Sequence, residues 1–303
     1  MAIWSRPRLL ITLLPLLLVL AGAAGTRADP GSAGAGPPAK PLPRIETGMH
    51  TALIWRIATD AAGRWAVTAS EDKTARVWEV ATGRQVLVLR PPQGEGNEGK
   101  LNAVALSPDG ALVAVGGYTT LGSHGGTAIY LFDRADGRLR RRLTGLPSGI
   151  NHLAFSPDGR RLAGALGGRG GVRVFDTGSW AETGQDTDYG AASLSAHFSP
   201  DGRHLVTTSL DGQVRLYAMD GGRLGKPKTS RPSGGKEPYA ARFSPDGRLI
   251  AVGFNDSTAV DVLDGGTLAQ VARPDTADVD NGDLGRVAWS ADGRYLLAGG
   301  AGV

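Results

Sequence analysis

The run that most resembles a chemical motif lies at residues 94–100 and reads GEGNEGK. Its glycine spacing satisfies the patterns of dinucleotide-binding loops and of loops that cradle phosphate. A phosphate cradle needs a helix N-terminus directly after it to present backbone amides, whereas a strand-length apolar run and a turn follow here. Leu101 also occupies the position of a metal-binding Ser or Thr. We therefore interpret this run as a loop between structural units and expect no cofactor.

An acidic run at 275–283 contains four aspartates, whose oxygens are suited to calcium. The closing Glu of a calcium loop is missing, because Trp289 stands in the twelfth position counted from Asp278. A solvated loop is the preferred interpretation. The sequence therefore predicts no metal site here.

Other catalytic chemistry finds little support in the sequence. The chain has no Cys, so it has neither a thiolate metal site nor a cysteine nucleophile. The five His residues show no metal-ligand spacing, and no G-x-S-x-G motif occurs. We expect no catalytic residue and predict that this chain is not an enzyme.

The net charge of +4 is concentrated at the N-terminus. Residues 1–28 combine Arg6 and Arg8, an apolar run at 9–20 and a small-residue tail, the pattern of a secretory signal peptide. The apolar run is shorter than the roughly 20 residues of a membrane-spanning helix, which favours a cleaved signal peptide. An uncleaved membrane anchor is the alternative. Removing 1–28 leaves 30 basic and 29 acidic residues, about +1. We therefore predict an exported, periplasmic or secreted protein with no nucleic-acid partner, and a membrane contact only through an uncleaved signal.

The remaining chain divides into a linker and a repeat region. Residues 29–44 are rich in Pro, Gly and Ala and predict a flexible linker. Within 45–303, Ser-Pro-Asp-Gly or a related tetrapeptide recurs, with its glycines spaced 47, 49, 43, 45 and 46 residues apart. These glycines stand at 63, 110, 159, 202, 247 and 293. A fixed period of this length indicates a repeat architecture.

Each tetrapeptide predicts the turn of a β-hairpin. Pro presets a turn φ, Asp can bond its own backbone, and Gly accepts positive φ. Strand-length apolar runs flank every copy, and most repeats show a third strand, such as ARVWE at 75–79, and a fourth. The sequence therefore predicts an all-β fold, a β-propeller of four-stranded antiparallel blades with about five and a half repeats present.

The first repeat carries a family resemblance. His50, Ser70, Asp72 and Trp78 stand at the positions of the signature residues of WD-repeat propellers, and the likeness covers nearly everything after residue 45. The resemblance implies that these four side chains form a buried hydrogen-bonded network that ties the strands of one blade together. Such a network is structural, since it fixes strand register.

The other repeats follow this signature less closely. Repeat four retains Ser209, Asp211 and Tyr217, with Tyr189 in the position of the histidine. Repeats two, three and five have Phe132, Phe175 and Leu263 in place of the Trp. The resemblance is therefore stronger for the fold than for the networks.

A finer likeness concerns the first repeat together with EGNEGKLNAVALSPDG and VDNGDLGRVAWSADGR. These segments are similar to the propeller portions of bacterial exported proteins that also carry a caspase-like peptidase domain. The resemblance implies a regulatory or substrate-recruiting role beside such a domain. The peptidase itself is expected outside this chain, because its cysteine has no candidate here.

The sequence stops ten residues after Gly293, past the second strand of the sixth repeat. An open sheet edge is usually avoided, so we expect an N-terminal piece of a longer protein or the recruitment of a closing strand. The leading hypothesis is a non-catalytic protein-interaction scaffold with an unknown protein partner. The alternative is a six-bladed periplasmic propeller that binds a small ligand, or acts as a hydrolase, through its central channel. His152 and His197, predicted on inner strands, could face such a channel.

Overall fold

The computed structural model describes residues 48–120, 126–279 and 282–300. The proposed signal peptide and the whole of the proposed linker therefore lie outside the described residues. All the regular structure within the described residues is β-strand. No helix there is long and apolar enough to cross a membrane.

The strands form consecutive antiparallel sheets, one per repeat. The first sheet contains β1 (Ile54–Thr59), β2 (Trp65–Ser70), β3 (Ala75–Glu79) and β4 (Arg84–Leu89). The second contains β5 (Leu101–Leu106), β6 (Leu112–Gly117), β7 (Thr127–Asp133) and β8 (Leu139–Leu146). The third contains β9 (Ile150–Phe155), β10 (Arg161–Leu166), β11 (Val172–Asp176) and β12 (Glu182–Asp186).

The fourth sheet contains β13 (Ser193–Phe198), β14 (His204–Ser209), β15 (Val214–Asp220), β16 (Arg223–Leu224) and β17 (Lys228–Ser230). The fifth contains β18 (Pro238–Phe243), β19 (Leu249–Phe254), β20 (Val260–Asp264) and β21 (Gln270–Ala272). The pair β22 (Arg286–Trp289) and β23 (Leu296–Gly299) begins a sixth. The prediction of an all-β chain of four-stranded antiparallel sheets is confirmed.

The recurrent tetrapeptide closes the hairpin between the first two strands of each sheet. In the second sheet the Gly110 amide donates to the Ser107 carbonyl at 2.8 Å, and Gly110 has a φ of +73°. The Ser107 hydroxyl donates to Asp109 at 2.5 Å and accepts from the Leu112 amide at 2.9 Å. The side chains of the turn therefore satisfy backbone groups that the sheet leaves unpaired.

The degenerate first copy makes the same turn with a different side chain. Asp60 replaces the serine, and its Oδ1 accepts from the amides of Arg64 and Trp65 at 2.7 and 2.9 Å. Gly63 again has positive φ, at +64°. A carboxylate can thus replace the hydroxyl because the turn needs an acceptor at this position.

The core lies between successive blades rather than within any one of them. In the first two blades, Val67 and Val77 pack against Val104, Val115 and Tyr130. Equivalent apolar clusters join each later pair of blades. Every inner blade therefore buries both of its faces, and no blade has a core of its own.

The first strands of the blades contact one another in succession, from β1 through β5, β9, β13 and β18 to β22. The path of these strands curves, as contacts between distant members of the series show. The Arg56 guanidinium on β1 donates to the Leu194 carbonyl on β13 at 3.1 Å. It also reaches the Tyr239 hydroxyl on β18 at 3.3 Å. The inner strands thus lie around a common axis, and we call the region that they enclose the axial channel.

The fourth blade departs from the regular pattern at its outer edge. Two short strands, β16 and β17, pair with different ends of β15. Gly225 and Pro227 separate them. Proline lacks the amide that a continuous edge strand would donate, which accounts for the division.

The hairpin turn generates a stability prediction. Gly159 has a φ of +70°, and an added Cβ would make only ordinary contact with Pro108 at 3.6 Å. Gly159→Ala should therefore act through backbone strain and lower the free energy of unfolding by about 1–2 kcal/mol. Urea denaturation measures this loss.

Gly178→Ala is the matched control, because Gly178 lies in an exposed turn without positive φ. Its cost should stay within about 0.5 kcal/mol. Equal losses in the two variants would contradict the assigned turn conformation.

Candidate functional site

The first blade contains a chain of hydrogen bonds that crosses three segments. Trp78 on β3 donates through Nε1 to the Thr68 hydroxyl at 2.8 Å. Thr68 on β2 contacts His50 Nε2 at 2.7 Å, and His50 Nδ1 contacts an Asp72 oxygen at 2.8 Å. A carboxylate only accepts, so His50 carries a proton on Nδ1, and in that tautomer the Thr68 hydroxyl donates to Nε2. The chain therefore runs in one direction, from indole to carboxylate.

Asp72 is the acceptor at the end of this chain. It also accepts from the Thr74 hydroxyl at 2.6 Å and from the Thr51 amide at 3.1 Å. Burial alone would raise the pKa of Asp72, but the hydrogen bonds from Thr74, His50 and Thr51 outweigh it and hold the pKa below its ordinary value. The carboxylate therefore fixes the loop before β1 to the turn after β2.

Ser70 lies beside this chain and has a different role. Its hydroxyl donates to the Ala52 carbonyl at 3.1 Å and accepts from the Asp72 amide at 3.1 Å. The structure thus brings His50, Asp72 and Trp78 together through Thr68, which the sequence analysis did not single out. The same two-residue spacing separates Thr207 from Ser209 in the fourth repeat, and this recurrence is the signal for Thr68 in the sequence.

The fourth blade replaces the imidazole with a phenol. The Tyr189 hydroxyl lies 2.7 Å from the Thr207 hydroxyl and 2.9 Å from the Tyr217 hydroxyl. Tyr217 donates in turn to Asp186 at 2.7 Å. Burial raises the pKa of Tyr217, and the neighbouring Tyr189 phenol adds to this shift, so both phenols remain protonated.

Asp211 in this blade has a cationic partner of its own. Arg215 donates to its two carboxylate oxygens at 3.2 and 2.7 Å, and the Arg215 guanidinium stacks on Tyr189 at 3.9 Å. The Ser209 hydroxyl donates to the Ala191 carbonyl at 3.2 Å and accepts from the Asp211 amide, as Ser70 does for Asp72. Asp211 also accepts from the Gly190 amide at 3.0 Å, and Arg215 donates to the Asp188 carbonyl at 3.0 Å. This almost fully buried ion pair therefore attaches the preceding loop to the turn, as Asp72 does in the first blade.

The remaining blades retain only parts of these networks. Phe132, Phe175 and Leu263 are buried apolar side chains with no donor to place at this position. In the fifth blade, Asp256 accepts from the amides of Lys236 and Glu237 at 2.9 and 3.0 Å. The carboxylate at the turn thus holds the preceding loop even where no tryptophan is present.

The glycine-rich run at 94–100 leads directly into β5, without a helix. Lys100 forms an ion pair with Glu71 at 2.6 Å, and Gly99 donates to the Tyr118 carbonyl at 2.7 Å. The lysine that a phosphate loop would need is therefore used to attach this loop to neighbouring ones. Of the acidic run, residue 280 lies outside the described residues.

A second group of polar residues lies at the axis. His152 on β9 and His197 on β13 are both on inner strands, as the sequence analysis expected. Burial lowers the pKa of His152, and the charges of Arg56 on β1 and Arg242 on β18 lower it further. No set of three or more His, Asp or Glu residues in the described part of the chain is arranged to hold a metal ion.

The sheet series and the blade networks define a class, and comparison with known proteins supports it. Residues 44–79, 137–176 and 187–218 match the family profile described as "WD domain, G-beta repeat". The blades are therefore consistent with WD40 propeller blades, and the chain is a WD40 repeat β-propeller-like protein.

Individual relatives are eukaryotic WD-repeat proteins. The chain is 30% identical over 182 residues to "Protein LST8 homolog" of Drosophila melanogaster, over 55% of this chain and 52% of that protein. It is 32% identical over 136 residues to "Small ribosomal subunit protein RACK1z" of Oryza sativa subsp. japonica, over 42% and 37%. It thus spans about half the length of the LST8 homologue.

The position of Thr68 generates a second prediction. Thr68→Val preserves the shape of the side chain and leaves the Trp78 indole and His50 Nε2 buried without their shared partner. Each unsatisfied group costs about 1–3 kcal/mol, so we expect a loss of about 2–4 kcal/mol in the free energy of unfolding. Chemical denaturation measures the loss.

The matched control is Thr229→Val, in which the same change is made at an exposed position on β17. It should change stability by no more than about 0.5 kcal/mol. A Thr68→Val variant as stable as this control would show that the hydroxyl does not connect the network.

The lowered pKa of Asp72 generates a prediction about pH. Its stabilising effect is fully present above the ordinary carboxyl value of 3.8 and is lost as the pH falls through the lower folded-state pKa. Asp72→Asn should therefore be less stable than the wild type by about 1–3 kcal/mol at pH 7, with the difference shrinking below about pH 4. Denaturation curves measured from pH 7 to pH 3 follow this difference.

Asp220→Asn controls for the general effect of removing one exposed carboxylate. Its difference from the wild type should remain small across the same range. If the deficit of Asp72→Asn is independent of pH, ionisation of Asp72 is not what stabilises the blade.

Proposed function

We propose that this chain is a non-catalytic protein-interaction scaffold. The observation that carries the proposal is a set of large apolar side chains exposed at one end of the blades, on loops whose backbones are fixed. Similarity to WD-repeat proteins supports the same function. Loops on a rigid frame are suited to binding because ordering them costs little on association.

The exposed side chains share one face because of strand direction. The loop that enters the first strand and the turn that leaves the second lie at the same end of an antiparallel sheet. We call this end the network face, since it holds residues 48–53, 71–74, 118–120 and 210–213. The blade networks lie directly beneath it.

Four apolar side chains project from the network face. Met49, Leu53, Tyr118 and Leu210 are 62%, 66%, 50% and 40% exposed. The backbones beneath two of them are hydrogen bonded, Tyr118 N to Lys100 O at 2.9 Å and Leu210 N to Ala192 O at 3.0 Å. Apolar and aromatic side chains on a fixed backbone are typical anchors of protein interfaces.

The cellular setting belongs to the proposal as well. We propose that the protein is exported, on the basis of the signal-like pattern at 1–28, and that it serves a caspase-like peptidase domain outside this chain. Support for that partner is the sequence likeness alone, and the relatives named above are eukaryotic WD-repeat proteins. Both parts therefore stay predictions.

The alternative of a propeller hydrolase needs a histidine and a carboxylate that converge near the axis. The axial histidines are accompanied by arginines. Among the described residues, the charges that act on these histidines are all cationic. This arrangement disfavours general acid–base chemistry there and favours the binding of a negatively charged group.

The scaffold proposal predicts that partner capture depends on the network face. Tyr118→Ser combined with Leu210→Ser should reduce capture of bound proteins by roughly tenfold or more, because two interface anchors are lost. Quantitative mass spectrometry of proteins retained by the immobilised chain, from an extract of its own cells, measures the effect.

Val80→Ser combined with Val271→Ser is the matched control, because both valines are exposed but lie away from the network face. Neither double variant should change the melting temperature appreciably, since all four positions are exposed. Equal capture by the two variants, or no protein retained above an unrelated propeller, would overturn the proposal.

A further inference from the structure

Two arginines and two histidines lie near the axis, and the blade networks do not use them. Arg56, His152, His197 and Arg242 come from four different inner strands. We call these four residues the axial cluster. The charged groups that act on the cluster are its own members and Arg286, together with the Tyr239 phenol, and no carboxylate of the described residues is among them.

Arg56 is only partly satisfied by its hydrogen bonds. Its two terminal nitrogens donate to the Tyr239 hydroxyl at 3.3 Å and to the Leu194 carbonyl at 3.1 Å, both of which are neutral acceptors. Its Nε is buried and has no partner. Burial lowers the pKa of Arg56, and the nearby Arg286 lowers it further. The guanidinium is thus a desolvated cation with a donor to spare.

His152 presents a second unpartnered group. Only 6% of the residue is exposed, and its Nδ1 is buried without a hydrogen-bond partner. Burial and the charges of Arg56 and Arg242 hold the pKa of His152 well below its ordinary value. A buried polar atom normally has a partner, so this free nitrogen indicates a place for one.

Arg242 adds a cation that lacks a counter-charge. Burial, followed by repulsion from Arg56, lowers the pKa of Arg242 to about 10. A buried charge is costly unless it is paired, and the ion pairs elsewhere in the protein follow this rule, as Arg215 and Asp211 show. The axial cluster therefore holds the charge pattern of an ion pair from which the anionic half is missing.

We propose that the axial channel is a binding site for a small oxyanion, a phosphate group either free or in a small phosphate ester. Arg56 and Arg242 supply charge-assisted donors from two different inner strands, and guanidinium matches the geometry of phosphate. The other nitrogen of the neutral His152 ring is hydrogen bonded to the backbone of Ala196, so the unpartnered Nδ1 is an acceptor, which can take a hydrogen bond from a protonated phosphate oxygen. The same cations disfavour a metal ion at the two histidines.

The inference goes beyond the scaffold proposal, because the axial cluster and the network face share no residue. A failure to bind anions would therefore contradict the axial site and not the scaffold proposal. A failure to capture proteins would contradict the scaffold proposal and not the axial site.

The test titrates the full chain with inorganic phosphate and with glycerol 3-phosphate by calorimetry, at constant ionic strength set with chloride. We expect saturable one-to-one binding of at least one of the two. Tighter binding of inorganic phosphate would identify the free ion as the ligand class, and tighter binding of glycerol 3-phosphate would identify an ester. No saturable binding of either would overturn the proposal.

Variants place the binding in the channel. Arg242→Gln and Arg56→Gln should each weaken phosphate binding at least tenfold, whereas Arg141→Gln, at an exposed position on the outer strand β8, should leave it unchanged. Equal weakening by Arg141→Gln would indicate general attraction to a basic surface and would contradict the site. Retained binding in both channel variants would do the same.

A further readout separates a binding role from a structural one. Arg242 is half-buried and has no counter-charge, so Arg242→Gln without phosphate should have a melting temperature equal to or above that of the wild type. Phosphate should raise the melting temperature of the wild type only. If Arg242→Gln fails to fold, His152→Gln is the second variant. It should weaken phosphate binding severalfold, and unchanged binding there would contradict the assigned contact.

Discussion

The constraint on which this structure depends is that a blade cannot bury its apolar surface alone. Val67 and Val77 of the first blade meet Val104 and Val115 of the second, and each later pair of blades repeats this arrangement. Stability therefore resides in the contacts between neighbours, as in other repeat proteins. A fixed blade geometry is required for these contacts, and the recurrent hairpin turn and the polar networks both serve to maintain it.

Much of the fold could be predicted because this constraint leaves a periodic trace. The positive φ at Gly110 and its equivalents permits few other residues, so the turns remain visible in the sequence while the strands between them vary. The divided outer strand of the fourth blade was not predicted. Its cause, a glycine and a proline near Lys228, acts only through the pairing partner β15, which the sequence does not display.

The blade networks were predictable only in part, for a similar reason. The sequence analysis took Ser70 as the hydroxyl of the first blade, and the structure places Thr68 between His50 and Trp78. Both residues have hydroxyls on the same strand and face. Only the register with Arg76 and the adjacent residues of β3 determines which hydroxyl meets the indole, and register is a property of two strands.

The axial cluster shows why motif-like residues and binding residues can be different sets. The polar residues with a recognisable spacing, such as His50 and Asp72, satisfy one another and have little capacity left for a ligand. Arg56 and Arg242 are separated by most of the chain and belong to no motif, yet curvature of the inner strands brings them to one channel. In this protein the satisfied polar groups lie inside the blades, and the unsatisfied charge lies at the axis. Several repeats each contribute one strand to the axis, so no single repeat reveals the site.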